Sequence, residues 1–139
     1  MENGAISDVQ ITASSQFDTN HAAIQGRLHF QATGSLQGAW SAHTNDANQW
    51  LQVYLGSESI IITKVATQGR NGSHRQWVTK YNLQYSEDEV NFRYYREQGK
   101  TEKKVKYIYL VQQKFTASYK NFRACTVGFR TASHHERLT

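Results

Sequence analysis

The sequence predicts an antiparallel all-β domain, and three observations carry that expectation. In QWVTKYNLQY, at residues 76–85, Trp77, Thr79, Tyr81, Leu83 and Tyr85 share one face. Val78, Lys80, Asn82 and Gln84 share the other, which is the period of two of a half-buried strand. The same alternation sets Leu51, Val53 and Leu55 on one face, and Ile60, Ile62 and Lys64 begin a third run. Gly56, Gly69 and Gly72 separate these runs, the punctuation of short antiparallel strands joined by turns.

The other elements follow in chain order. Residues 6–15 read as an opening strand or extended segment anchored by Ile6, Val9 and Ile11. Residues 17–30 keep no single period, although Ala22, Ala23, Ile24 and Leu28 allow a short helical turn. QATGSLQG at 31–38 is a loop by its Gly, Ser and Gln content, after which Trp40 returns to the core beneath the loops. Residues 45–48 make a polar turn. Trp50, Trp77 and Tyr81 are expected to hold the core. Ser86, Glu87, Asp88 and Glu89 form a hairpin turn, and Val90, Phe92 and Tyr94 start the return strand.

The 139 residues suit one domain with a two-layer core. There is no proline, which is unusual for a loop-rich β domain and has no physical explanation in the sequence. The single cysteine, Cys125, excludes an internal disulfide. Nothing before Gly4 is apolar enough for a signal peptide, and no run approaches the ~20 residues of a membrane-spanning helix. The expectation is an extracellular or cell-surface piece of a longer protein, with a cytosolic chain as the alternative. Charge divides the chain at Gly99. Seven Lys and Arg face nine Asp and Glu before it, while nine face two after it.

Several motifs resemble the discoidin family, also called the coagulation factor V/VIII type C domain. They are GAISDVQITASSQ near the N-terminus, Arg27-Leu28, AWSA at 39–42, NQWLQV, LG, VATQGR, QWVTKY and LQYSED, in that order between Gly4 and Gln98. The resemblance implies a jelly-roll β-sandwich that binds ligands with loops at one end. Members recognise sugars, anionic phospholipid headgroups or protein partners, mostly as extracellular adhesion modules. The family usually joins its termini by a disulfide, whose N-terminal cysteine is missing here. Tyr54 stands where the family commonly has Asp, and Glu89 stands where it prefers Gly, which places a positive φ on Glu89 if the turn is kept. After Gly99 the pattern is lost. Residues 1–99 therefore read as the discoidin-like domain and 100–139 as a basic, divergent tail. Residues 105–111 of that tail have the composition of a closing strand. The expectation is an out-of-frame or alternatively spliced end that leaves the sandwich incomplete and weakly stable.

Enzymatic signatures are absent. The six histidines form no HExxH, there is no CxxC, and no G-x-S-x-G elbow or phosphate-binding glycine loop occurs. No catalytic residue, metal or cofactor is expected. Binding is better supported. GRNGSHRQW at 69–77 offers Arg70, Asn71, His74 and Arg75 as donors suited to sugar hydroxyls, and its two arginines also suit a headgroup phosphate. Asn20 and His21 lie in a second candidate loop and Leu36 at the tip of a third. Taken singly, each of these residues also fits an ordinary solvated loop. Asn71-Gly72-Ser73 is in addition an N-glycosylation sequon. The expected partners are glycans, with anionic phospholipid headgroups as the alternative and cell-surface proteins as a further class. Single-stranded nucleic acid is a distant third, through tail lysines interleaved with Tyr107, Tyr109, Phe115, Tyr119 and Phe122.

Overall fold

The computed structural model describes residues 5–56, 62, 65–71, 74, 76–78 and 81–96 with their side chains, and the strand backbone alone at 64, 80, 105–107, 113–116 and 124–130. Eight strands are assigned among these residues: β1 (Ile11–Ala13), β2 (Gln49–Tyr54), β3 (Lys64–Thr67), β4 (Lys80–Ser86), β5 (Arg93–Tyr94), β6 (Val105–Tyr107), β7 (Gln113–Thr116) and β8 (Ala124–Arg130). The larger sheet runs β1-β2-β8-β4-β5, with β6 also paired to β4, while β3 and β7 form a second sheet. Every pairing is antiparallel. The chain is an all-β sandwich of the jelly-roll kind. No helix among the described residues is long and apolar enough to cross a membrane.

The run at 49–54 becomes a strand because its period of two can be satisfied on one side. Leu51 is buried beside Ile11, Ala23 and Tyr81, with Ile6, Ala13, Trp40 and Val78 packed around them. Gln49 falls on the same face as Leu51 and is buried too, a cost met by hydrogen bonds. Its Oε1 accepts from Ser14 Oγ at 2.7 Å and Ser15 Oγ at 2.6 Å, and its Nε2 donates to Asp46 Oδ1. Trp40 anchors the loops above this core, donating its indole N–H to Ser15 O at 2.8 Å.

Several expectations are corrected. Of the three aromatics expected in the core only Tyr81 is fully buried, at 1% exposure, while Trp50 and Trp77 are half-buried. Trp77 and Val78 precede β4 instead of forming it. Val9 is exposed, because a 3-10 turn at Asp8–Gln10 rotates it away from the sheet before β1 begins. Val90 likewise points to solvent from the turn, and the return strand is confined to Arg93–Tyr94. The opening turn is fixed by an ion pair between Arg27 Nη2 and Asp8 Oδ1 at 2.6 Å. Gln10 Nε2 ties it to the end of β2 by donating to Tyr54 O.

The turn after β4 does place Glu89 at a positive φ of 65°. Left-handed backbone at a residue with a Cβ costs about 1–2 kcal/mol. Asp88 offsets this by accepting from Val90 N, Asn91 N, Asn91 Nδ2 and Ser86 Oγ. These bonds, the Asn91 amide first, hold the Asp88 carboxyl far below the ordinary carboxylate range.

The largest correction concerns the segment after Gly99. β8 lies in the middle of the larger sheet, with Gln49 to Tyr54 of β2 paired to Phe129 to Ala124 on one side. On the other side Lys80 to Ser86 of β4 pairs with Arg130 to Ala124. A segment expected to leave the sheet open supplies its central strand instead. Of the closing strand expected at 105–111, Val105–Tyr107 pairs with β4 and residues 108–111 lie outside the described residues.

Candidate functional site

Strand direction decides which loops meet. β1 leaves and β2 enters at one end, where Ala13 opposes Leu51. Gln49 opposes Phe129 and Lys80 opposes Arg130 at that same end, so β8 leaves and β4 enters there. Residues 14–26 and 76–78 are thereby brought to one end of the sandwich, and hydrogen bonds bind residues 29–38 and residues 68–71 to them.

Gln37 is the junction of the three loops. Its backbone N–H donates to Asn20 O at 2.9 Å, and its side-chain carbonyl accepts from Arg70 Nη2. Arg70 Nη1 donates to Gln76 Oε1 at 2.7 Å, and the Arg70 and Gln76 backbones are joined by a further hydrogen bond. Arg70 is half-buried, and its guanidinium bridges two loops. It carries five N–H donors, of which these contacts use two.

Asn71 works inward. Its Nδ2 donates to Phe30 O and its Oδ1 accepts from Ala32 N at 3.0 Å, while its backbone bridges Gly38. Gly38 is required there, since a Cβ would sit 2.6 Å from Asn71 Cγ and 2.9 Å from Asn71 O. An N-glycan would be attached at this same Nδ2, leaving it a single N–H, the number that its bond to Phe30 O uses. Asn71→Ala should cost ~1–3 kcal/mol, chiefly by leaving the half-buried Phe30 carbonyl unpaired. Urea unfolding checks this, and an unchanged midpoint would show that the side chain holds nothing.

His21 lies in a 3-10 turn, Thr19–His21, capped by Asp18. Its Nδ1 is 2.6 Å from Asp18 Oδ1, which also accepts from Asn20 N. The hydrogen bond to His21 leads the effects that hold the Asp18 carboxyl below its ordinary range. The Phe17 ring meets the imidazole edge-on at 5.4 Å and 84°. Leu36 is half-buried, because a bridge between Thr33 and Leu36 folds it back while Gly34 turns the tip at a φ of 58°. Among the described residues, the large apolar side chain exposed at this end is Phe17, at 59%. His74 is exposed, and Arg75 lies outside the described residues.

The structure thus brings Asn20, His21, Leu36, Arg70 and Asn71 into one hydrogen-bonded set of loops. Sequence reasoning missed Gln37 and Phe17. The lone aromatic in the polar run SSQFDTNH was a usable signal for Phe17, whereas nothing local distinguished Gln37 from the other glutamines of its loop. The nucleic-acid reading of the tail rests on side chains outside the described residues.

Comparison with known proteins bears on this arrangement. The F5/8 type C domain model matches residues 10–130, across the charge break at Gly99 and through β8. Pig (Sus scrofa) lactadherin is 38% identical over 109 residues, covering 76% of this chain and 26% of that protein. The chain spans about a quarter of the length of the lactadherins it matches. Among solved structures, wild-type discoidin II from Dictyostelium discoideum superposes with a TM-score of 0.75 at 20% identity, over 90% of this chain and 49% of that one. The family 32 carbohydrate-binding module of C. perfringens NanJ, in complex with galactose, gives 0.63 at 13% identity over 96% of this chain and 88% of that one.

Proposed function

Because the chain belongs to the F5/8 type C (discoidin) domain family, we propose that it is a non-catalytic binding module. It recognises cell-surface or matrix carbohydrate through the three loops at one end of the sandwich. The observation that carries this reading is the junction at Gln37. It gathers the three loops into one fixed surface on which Arg70 is pre-oriented by two side-chain acceptors. Preorganised planar donors suit sugar hydroxyls, since little rotamer freedom is lost on binding. Phe17 adds an exposed ring at the same end, against which the apolar face of a pyranose can lie. Resemblance to a module solved with galactose supports the same ligand class. As an adhesion module, the domain would act outside the cell within a longer protein.

Anionic phospholipid is the second reading, and the exposure of Phe17 is what favours it. A ring at a loop end can enter a bilayer interface while Arg70 meets a phosphate. One experiment separates the two: a glycan array alongside phosphatidylserine vesicles, with the native chain and Arg70→Ala. The native chain should bind terminal galactose-type glycans and ignore vesicles. Arg70→Ala should weaken glycan binding at least tenfold with the near-UV circular dichroism unchanged. Vesicle binding without glycan binding would overturn the carbohydrate reading in favour of the lipid one.

A further inference from the structure

Asn71 is followed in the sequence by Gly72. Asparagine before glycine is the pair most prone to deamidation, because glycine has no side chain to shield its N–H from the carboxamide. The glycine nitrogen attacks Asn71 Cγ, forming a C–N bond. The carboxamide nitrogen then leaves with the glycine proton as ammonia, and a cyclic imide remains. Water adds to one imide carbonyl or to the other, and the C–N bond that opens gives aspartate or isoaspartate. No co-reactant other than water is needed.

The fold holds this carboxamide against the reaction. Its Nδ2 donates to Phe30 O and its Oδ1 accepts from Ala32 N at 3.0 Å, partners 41 and 39 positions earlier in the chain. Space is restricted as well, since a Cβ built on Gly38 would stand 2.6 Å from Asn71 Cγ. Ring closure needs a carboxamide free to turn about its side-chain bonds, and these contacts deny it that freedom. The products cannot restore them. Aspartate has no Nδ2–H to donate and sets a negative charge against the half-buried Phe30 carbonyl. Isoaspartate also lengthens the main chain by a methylene at the residue that bridges Gly38.

We propose that Asn71 is a deamidation site gated by loop closure. It is protected while residues 29–38 pack on residues 68–71, and it reacts when local opening parts them. The change runs one way, because the modified residue no longer supplies the donor that held the loops together. Gln37 and Arg70 stand beside Gly38 and Asn71 in the chain and meet each other across this contact. The surface they form should therefore be lost with it. That consequence for carbohydrate binding rests on the preceding functional reading, whereas the gated reaction does not.

The test follows deamidation of the full, unglycosylated chain at mildly alkaline pH, both native and denatured in guanidinium chloride. Mass spectrometry of its peptides reads the gain in mass as NH2 gives way to OH. It also separates Asn71 from Asn3, the other asparagine that precedes glycine. Asn71 should react at least tenfold more slowly in the native chain than in the denatured one. Gly38→Ala, whose Cβ meets Asn71 Cγ, should bring the native rate severalfold closer to the denatured rate. If that variant does not fold, Gln37→Ala loosens the same contact by removing the acceptor of Arg70 Nη2. Asn71→Asp reproduces one product and should speed amide exchange at Ala32 at least tenfold. Equal rates in native and denatured chains would overturn the gate, as would a native rate that the folded variant leaves unmoved. Unchanged exchange at Ala32 in Asn71→Asp would overturn the one-way loss of the contact. A native chain that binds no glycan would overturn the carbohydrate reading and leave the gated reaction standing on these rates.

Discussion

Truncation of the chain after Gly99 should abolish cooperative folding. The cut removes β8, whose two edges pair with all of β2 and all of β4. Each backbone hydrogen bond contributes a net ~0.5–1.5 kcal/mol, and two ladders of this length exceed much of the ~5–15 kcal/mol that holds a domain together. Losing the middle strand also leaves two sheet edges open, the usual route to aggregation. The measurement is near-UV circular dichroism with urea unfolding of residues 1–99 against the full chain. Hydrogen exchange on the intact chain gives an independent reading. Amides of Ala124–Arg130 should be protected as strongly as those of Lys80–Ser86. A cooperatively folding 1–99 fragment, or fast exchange throughout β8, would show that the strand is not integral to the sheet.

Tyr81→Ala should be the most damaging single substitution among the described residues, costing ~3–5 kcal/mol as a large buried aromatic gives way to a cavity. Tyr81 is the largest fully buried side chain described, and it contacts the cluster of Ile11, Ala23 and Leu51. Trp77→Ala removes a bigger ring from a half-buried position before β4 begins, where water can refill the space. Its cost should be smaller. Paired urea melts decide the order, and a larger loss for Trp77→Ala would mean that the core is centred above β4 and not on it.

Local chemistry carried a good part of this protein. The period of two in residues 49–55 and 77–85 identified β2 and β4, because a strand's side-chain alternation is written in consecutive residues. The turn at Ser86–Glu89 was legible from its residues, and the positive φ of Glu89 from the resemblance, which has Gly there. The motifs between Gly4 and Gln98 were enough to indicate the family. They also singled out three loops that the structure ties together.

What the sequence could not decide was whatever depends on partners far along the chain. Residues 124–130 carry no alternation of their own strong enough to announce a strand. They are central because β2 and β4 each leave an edge that only another strand can fill, with partners about 40 to 80 positions away. Exposure was equally out of reach for single residues. Val9 and Ile11 read alike as apolar anchors, yet the 3-10 turn ending at Gln10 turns one to solvent and the other to the core. Gln37 looked like any polar loop residue until folding placed Asn20 and Arg70 on either side of it. Alternation and turn chemistry act between near neighbours and survive in the one-dimensional string. Burial, edge pairing and the meeting of loops are properties of pairs that only the folded chain creates.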